Sequence, residues 1–194
     1  MPSLYDLAAR LQAFAAGDLT REALDAWVIP VLAADPLDVE HSDAMPWEDD
    51  PDEERLFWRL LYLIESSEPT GEAEAALRSL SGRAVACLAS TASPADTLEL
   101  LPLVADQPRL CTIVERHAAG IVSRTGFLSV LANAPYPPHA KLWLTHADGA
   151  ALAQLCDRLS AGDYAAVARM LERAPGAVGE EDCGVRTAAP CRCA

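Results

Sequence analysis

Apolar positions recur with the period of an α-helix almost from the start of the chain. Leu4, Leu7, Leu11 and Phe14 are spaced by three, four and three residues, which lines them along one face of a helix. Gly17 is the residue expected just past a helix C-terminus, and Asp18 or Thr20 can cap the next helix. That helix carries Leu24, Trp27, Val28, Val31 and Leu32. Pro30 is predicted to kink it or end it early, because proline lacks a donor and crowds the carbonyl of Ala26. Asp50-Pro51-Asp52-Glu53 then opens a helix whose apolar residues, from Leu56 to Ile64, cover more than one face; it is placed centrally in the core.

The pattern continues to the far end. Residues 70–91 read as helical on both sides of Gly82, which either splits or weakens the helix. Ser93-Pro94 starts a short helix that should stop near Pro102. Asp106 is expected to open a helix ending at Ala119, Ser123 to cap one ending near Asn133, and Asp148 to cap one reaching Ser160. Pro138 begins a short helix through Leu144, and Gly162-Asp163 leads into a last one ending at Arg173. No stretch alternates with period two between hairpin turns, as strands would. The expected fold is all-α: an irregular multi-helix bundle of about eight or nine helices in helical hairpins, or a short α-solenoid. Residues 1–174 read as one helical domain, with a subdivision near 92–106, and residues 175–194 as a flexible tail holding Cys183, Cys191 and Cys193.

One helix–turn–helix joint occurs twice, over 14–28 and 117–131. Phe14-Ala-Ala-Gly-Asp-Leu-Thr-Arg21 matches His117-Ala-Ala-Gly-Ile-Val-Ser-Arg124 at both alanines, the glycine and the arginine. Thr20 and Ser123 share capping chemistry, and Leu24 pairs with Phe127 downstream. Ser160-Ala-Gly-Asp-Tyr164 is a looser third version. Convergence and an ancient duplication both produce such a pattern. The uneven spacing of the three glycines argues against a regular repeat array.

Composition narrows the range of functions. The chain has 194 residues and a formal charge of −14, with 51% hydrophobic residues. That is enough apolar surface to fold without disulfides or metals. The acidic balance disfavours nucleic acid and anionic membranes, and it favours a basic protein partner that would be steered in. Arginine outnumbers lysine fourteen to one, which reads as a coding bias and points to a bacterial source. Neither a signal peptide nor a membrane-length apolar run is visible, so a cytoplasmic protein is expected.

Candidate chemistry is sparse. Residues 35–54 hold ten acids, no Lys or Arg, and the Met45-Pro46-Trp47 triplet. As a docking loop, Asp43, Glu48, Asp49 and Asp50 would steer a basic partner and Trp47 would anchor in a pocket on it. The alternative is a solvated acidic face with Trp47 folded onto the core. Asp38, Glu40, His41 and Asp43 cluster as metal donors but lack EF-hand spacing. His139 and His146 lie nearly two turns apart on one side of a helix, without the glutamate of a zinc-protease motif. His117 sits near a helix C-terminus, a structural place for an imidazole. Cys87, Cys111 and Cys156 fall in helical patterns as small buried hydrophobes, and Cys191-Arg192-Cys193 does not match structural zinc spacing. Neither a nucleophile elbow nor a phosphate loop is present, and no catalytic residue, cofactor or metal is predicted.

In build the chain is similar to bacterial immunity proteins and antitoxins, which are small, acidic, helical and free of cofactors. The likeness is carried by no specific residue. It implies an inhibitor that binds a basic toxin or nuclease. A helical scaffold that holds a peptide, and a metal-assisted enzyme acting through His41, are the alternatives.

Overall fold

The computed structural model describes residues 2–33, 51–67 and 70–173, and these form ten helices without a strand. In order they are α1 (Leu4–Ala16), α2 (Arg21–Ala33), α3 (Asp52–Glu65), α4 (Gly71–Ser90), α5 (Pro94–Ala105), α6 (Gln107–Ala118), α7 (Arg124–Asn133), α8 (Pro138–His146), α9 (Gly149–Ala161) and α10 (Tyr164–Glu172). The all-α expectation holds, with one or two helices more than foreseen.

Local chemistry explains most boundaries. Ser3 caps α1 in a reciprocal box with Asp6. Thr70, Ser93, Ser123, Asp148 and Asp163 each accept a backbone N–H in the first turn of the helix they precede. Gly17, Gly120 and Gly162 alone adopt positive φ among the described residues, at 87°, 71° and 73°. Each ends or follows a helix, where a left-handed residue lets the chain turn and satisfies the last carbonyls.

Two expectations are narrowed or corrected. Gly82 does not split α4, which runs unbroken for 20 residues. A Cβ built on Gly82 would lie 3.6 Å from the Ala15 Cβ, so the glycine marks the crossing of α1 and α4 rather than a break. Neither interior proline stops its helix. Pro30 and Ala26 both face solvent, where water can satisfy the carbonyl that proline frees. Beyond Pro102, buried Leu103 and Val104 hold the last turn of α5 in place. Asp106 stands at the start of α6 and Ala119 at its end, as expected, and the Asp106 carboxylate accepts the Tyr136 hydroxyl at 2.5 Å rather than a helix N–H.

Two hydrophobic cores share α4 and α5. One joins α1 to α4 with Leu101 of α5, around Leu7, Leu11, Phe14, Leu24, Leu61 and Ile64. The other joins α5 to α10 with Cys87 of α4, around Leu103, Phe127, Trp143, Leu155 and Tyr164. Burying a Leu or Phe side chain contributes about 1.5–3 kcal/mol, so each core is a substantial source of stability.

The repeated joint belongs to a larger recurrence. At a constant spacing of 103 residues, buried Leu7, Leu11, Leu24 and Val28 match buried Leu110, Val114, Phe127 and Leu131. Packing recurs with them. α1 lies on α4 as α6 lies on α9; α2 meets α3 as α7 meets α8; α3 meets α5 as α8 meets α10; and α4 meets α5 as α9 meets α10. Buried Thr97, Leu100 and Leu101 of α5 also match buried Val167, Met170 and Leu171 of α10 in order and spacing. One five-helix arrangement is therefore used twice.

Candidate functional site

The sequence-predicted docking residues Asp43, Trp47, Glu48, Asp49 and Asp50 lie outside the described residues, as do the donor cluster around His41 and Cys183, Cys191 and Cys193. The acidic stretch enters the described structure at Asp52, Glu53 and Glu54, all exposed in the first turn of α3. Carboxylates there face the positive end of the helix dipole, a favourable placement.

The cations behave differently. A helix leaves its last carbonyls without intrahelical partners, and a cation near them is stabilising. Helices α1, α3, α5 and α7 have no basic residue in their own last turn. Each receives one from another helix. Arg78 of α4 donates to Phe14 O in the last turn of α1 and stacks over the Phe14 ring at 4.2 Å. Arg21 of α2 donates to Ile64 O at 3.2 Å and to Ser67 O at 3.0 Å, at the end of α3. Arg83 of α4 reaches Val104 O of α5 at 3.2 Å, and Lys141 of α8 reaches Ala132 O of α7 at 3.0 Å. Arg124 of α7 donates in the same way to Thr145 O at the end of α8. Arginine suits this work because its rigid fork carries several donors on a long stem. The arginine excess, which composition alone attributes to coding bias, thus has a structural use.

Acidic residues outnumber basic ones 29 to 15, and three carboxylates meet in one place. A cleft of about 400 Å³ opens between α5, α8 and α10, lined by Asp96, Glu99, His139 and Glu172 over a floor of Leu100, Ala168 and Leu171. His139 Nδ1 lies 3.5 Å from Glu99 Oε2, and both side chains are about half exposed, at 47% and 57%. Asp96 accepts the Ser93 hydroxyl at 3.0 Å. Glu172 is the last residue of α10, at the negative end of its dipole, where a carboxylate is disfavoured. An apolar floor rimmed by carboxylates suits a side chain with an aliphatic stem and a cationic head.

The structure redistributes the histidines. His139 faces Glu99 across the cleft, while His146 is exposed at the other end of α8, so the two do not form one site. His117 stacks on Phe127 with centroids 4.8 Å apart and bonds Val122 O through Nδ1 at 2.9 Å, a structural role at the second joint. No group of three or more His, Cys, Asp or Glu among the described residues is arranged to hold a metal ion. Cys87 is fully buried, and burial pushes its thiol up to about 12, which makes it inert. No helix among the described residues is long and apolar enough to cross a membrane.

The cleft was not foreseen from sequence, because its residues lie on three helices far apart in the chain. The one available signal was the i,i+3 pair Asp96 and Glu99 on the otherwise apolar α5. No known protein family, curated protein or solved structure matches the chain.

Proposed function

We propose that this chain is a protein-binding module that captures a basic partner, and that the cleft of Asp96, Glu99, His139 and Glu172 receives an arginine or lysine of that partner. The observation carrying this reading is the partition of charge. Four arginines and the only lysine hold helix ends, while carboxylates line a concave, apolar-floored cleft at the surface. A formal charge of −14 would steer a basic surface toward the molecule, and a desolvated contact in the cleft would hold it. Asp43, Trp47, Glu48, Asp49 and Asp50 would contribute further acidic charge and one aromatic anchor. Binding of this kind blocks a partner by occlusion, as the likeness in build to immunity proteins implies.

The test uses partners recovered from the source cell on immobilised full-length protein, with their affinities then measured at two salt concentrations. The proposal expects a basic partner whose affinity falls with salt and drops at least tenfold with Glu99→Gln/Glu172→Gln. A partner that is acidic, or that ignores both salt and the double substitution, contradicts it.

A further inference from the structure

Two free thiols sit face to face between the antiparallel helices α6 and α9, which form one of the closest helix pairs of the second core. Register places them there. Gln107 Nε2 of α6 donates to Ser160 Oγ of α9 at 3.5 Å. Four residues on along α6 and four back along α9 bring Cys111 opposite Cys156. Cys111 packs against the core cluster that contains Cys156, and Ser160 lies one turn further along α9. Cys111 is partly exposed and Cys156 is buried at 9%.

We propose that Cys111 and Cys156 are a peroxide-responsive pair that closes into a disulfide, stapling α6 to α9. Cys111 supplies the attacking thiolate. It is the more accessible of the two, and the hydrogen bond from Cys156 holds its thiol below the ordinary value. Cys156 is the resolving thiol: in the reduced pair its hydrogen bond to Cys111 and its burial keep it protonated, and it gives that proton to the departing hydroxyl of the sulfenic acid as it attacks. The Cys111 thiolate attacks one oxygen of hydrogen peroxide, breaks the O–O bond and releases hydroxide, leaving a sulfenic acid. The Cys156 sulfur then attacks the Cys111 sulfur. The S–S bond forms, the S–O bond breaks and the oxygen leaves as water. Two thiols and one peroxide give one disulfide and two waters. No other thiol needs to approach, so closure outruns further oxidation of Cys111. The closed loop would enclose α7 and α8 and so fix His139, one wall of the cleft, to a cross-linked frame.

Reduced full-length protein, freed of reductant, is treated with a small excess of hydrogen peroxide, alkylated and digested with trypsin without reduction. Cleavage after Arg109, Arg116, Lys141 and Arg158 isolates Cys111 and Cys156 on separate peptides, 110–116 and 142–158, each with one cysteine. The proposal expects these two peptides joined by a disulfide, and a Tm raised by about 5 °C or more that dithiothreitol reverses. In Cys156→Ser, Cys111 should instead stop at the sulfenic acid and be trapped by dimedone. Cys111 recovered as free thiol or as sulfinic acid in the unsubstituted protein would overturn the proposal. So would Cys111 joined to any cysteine other than Cys156.

Discussion

The first corner of the molecule and the second are written in nearly the same residues and put to different use. At both, a left-handed glycine ends one helix, and a hydroxyl residue caps the next through its third following residue. Thr20 accepts from Ala23 N and Ser123 from Gly126 N, each at 3.2 Å. At both, an arginine one residue further on reaches the last turn of the helix after its own. The difference lies in depth. Arg21 is 7% exposed, bonds two carbonyls and pairs with Asp25 at 2.8 Å. Arg124 is exposed and rests 5.6 Å over Phe127, and the position matching Asp25 is Leu128. One backbone solution thus serves as a locked joint in the first unit and an open one in the second. Local sequence sets the turn; the neighbours decide how much stability its arginine carries.

That contrast predicts unequal costs for equal substitutions. Arg21→Met removes two bonds to backbone and leaves Asp25 without its partner, so it should lower unfolding free energy by about 2–4 kcal/mol. Arg124→Met, at a solvated site, should cost about 0.5–1 kcal/mol. Urea denaturation of both variants checks the ratio, and equal losses would mean that the corners are not used differently. A second comparison concerns the helix crossings. At Gly82 a methyl group would meet Ala15 at ordinary contact distance, so Gly82→Leu should overpack the α1–α4 crossing and cost about 1–3 kcal/mol. Gly82→Ala should stabilise α4 by up to about 1 kcal/mol, because alanine forms helix better and its Cβ fits. Thermal unfolding distinguishes the two signs.

Much of this architecture was legible in the sequence, and the limit has a physical cause. Helix stripes, caps and left-handed glycines are local signals, so Leu4–Phe14, Ser123, Asp148 and Gly17 could be read directly. The wider recurrence was not legible past the second helix of each unit. α3 and α8 differ in length and share almost no residues, and α4 exceeds α9 by two turns, so only the packing preserves the likeness. The prolines misled for a related reason. Their local cost is real, but burial of Leu103 and Val104 and solvation around Pro30 outweigh it. The roles of Arg21 and Arg78 depend on carbonyls more than forty residues away, and no window of sequence holds both partners. The same distance hid the cleft: Glu99, His139 and Glu172 meet only after α5, α8 and α10 have packed.

Cations tie helix ends to their neighbours, and the cleft carboxylates carry none of that load. The most direct measurement is the unfolding free energy of Glu99→Gln/Glu172→Gln, set beside that of the parent chain in urea. The expected change is within about 0.5 kcal/mol, or a small gain from easing the self-repulsion of an acidic chain and removing a carboxylate from the end of α10. A loss comparable to that of Arg21→Met would show that these carboxylates are part of the framework, and would contradict it.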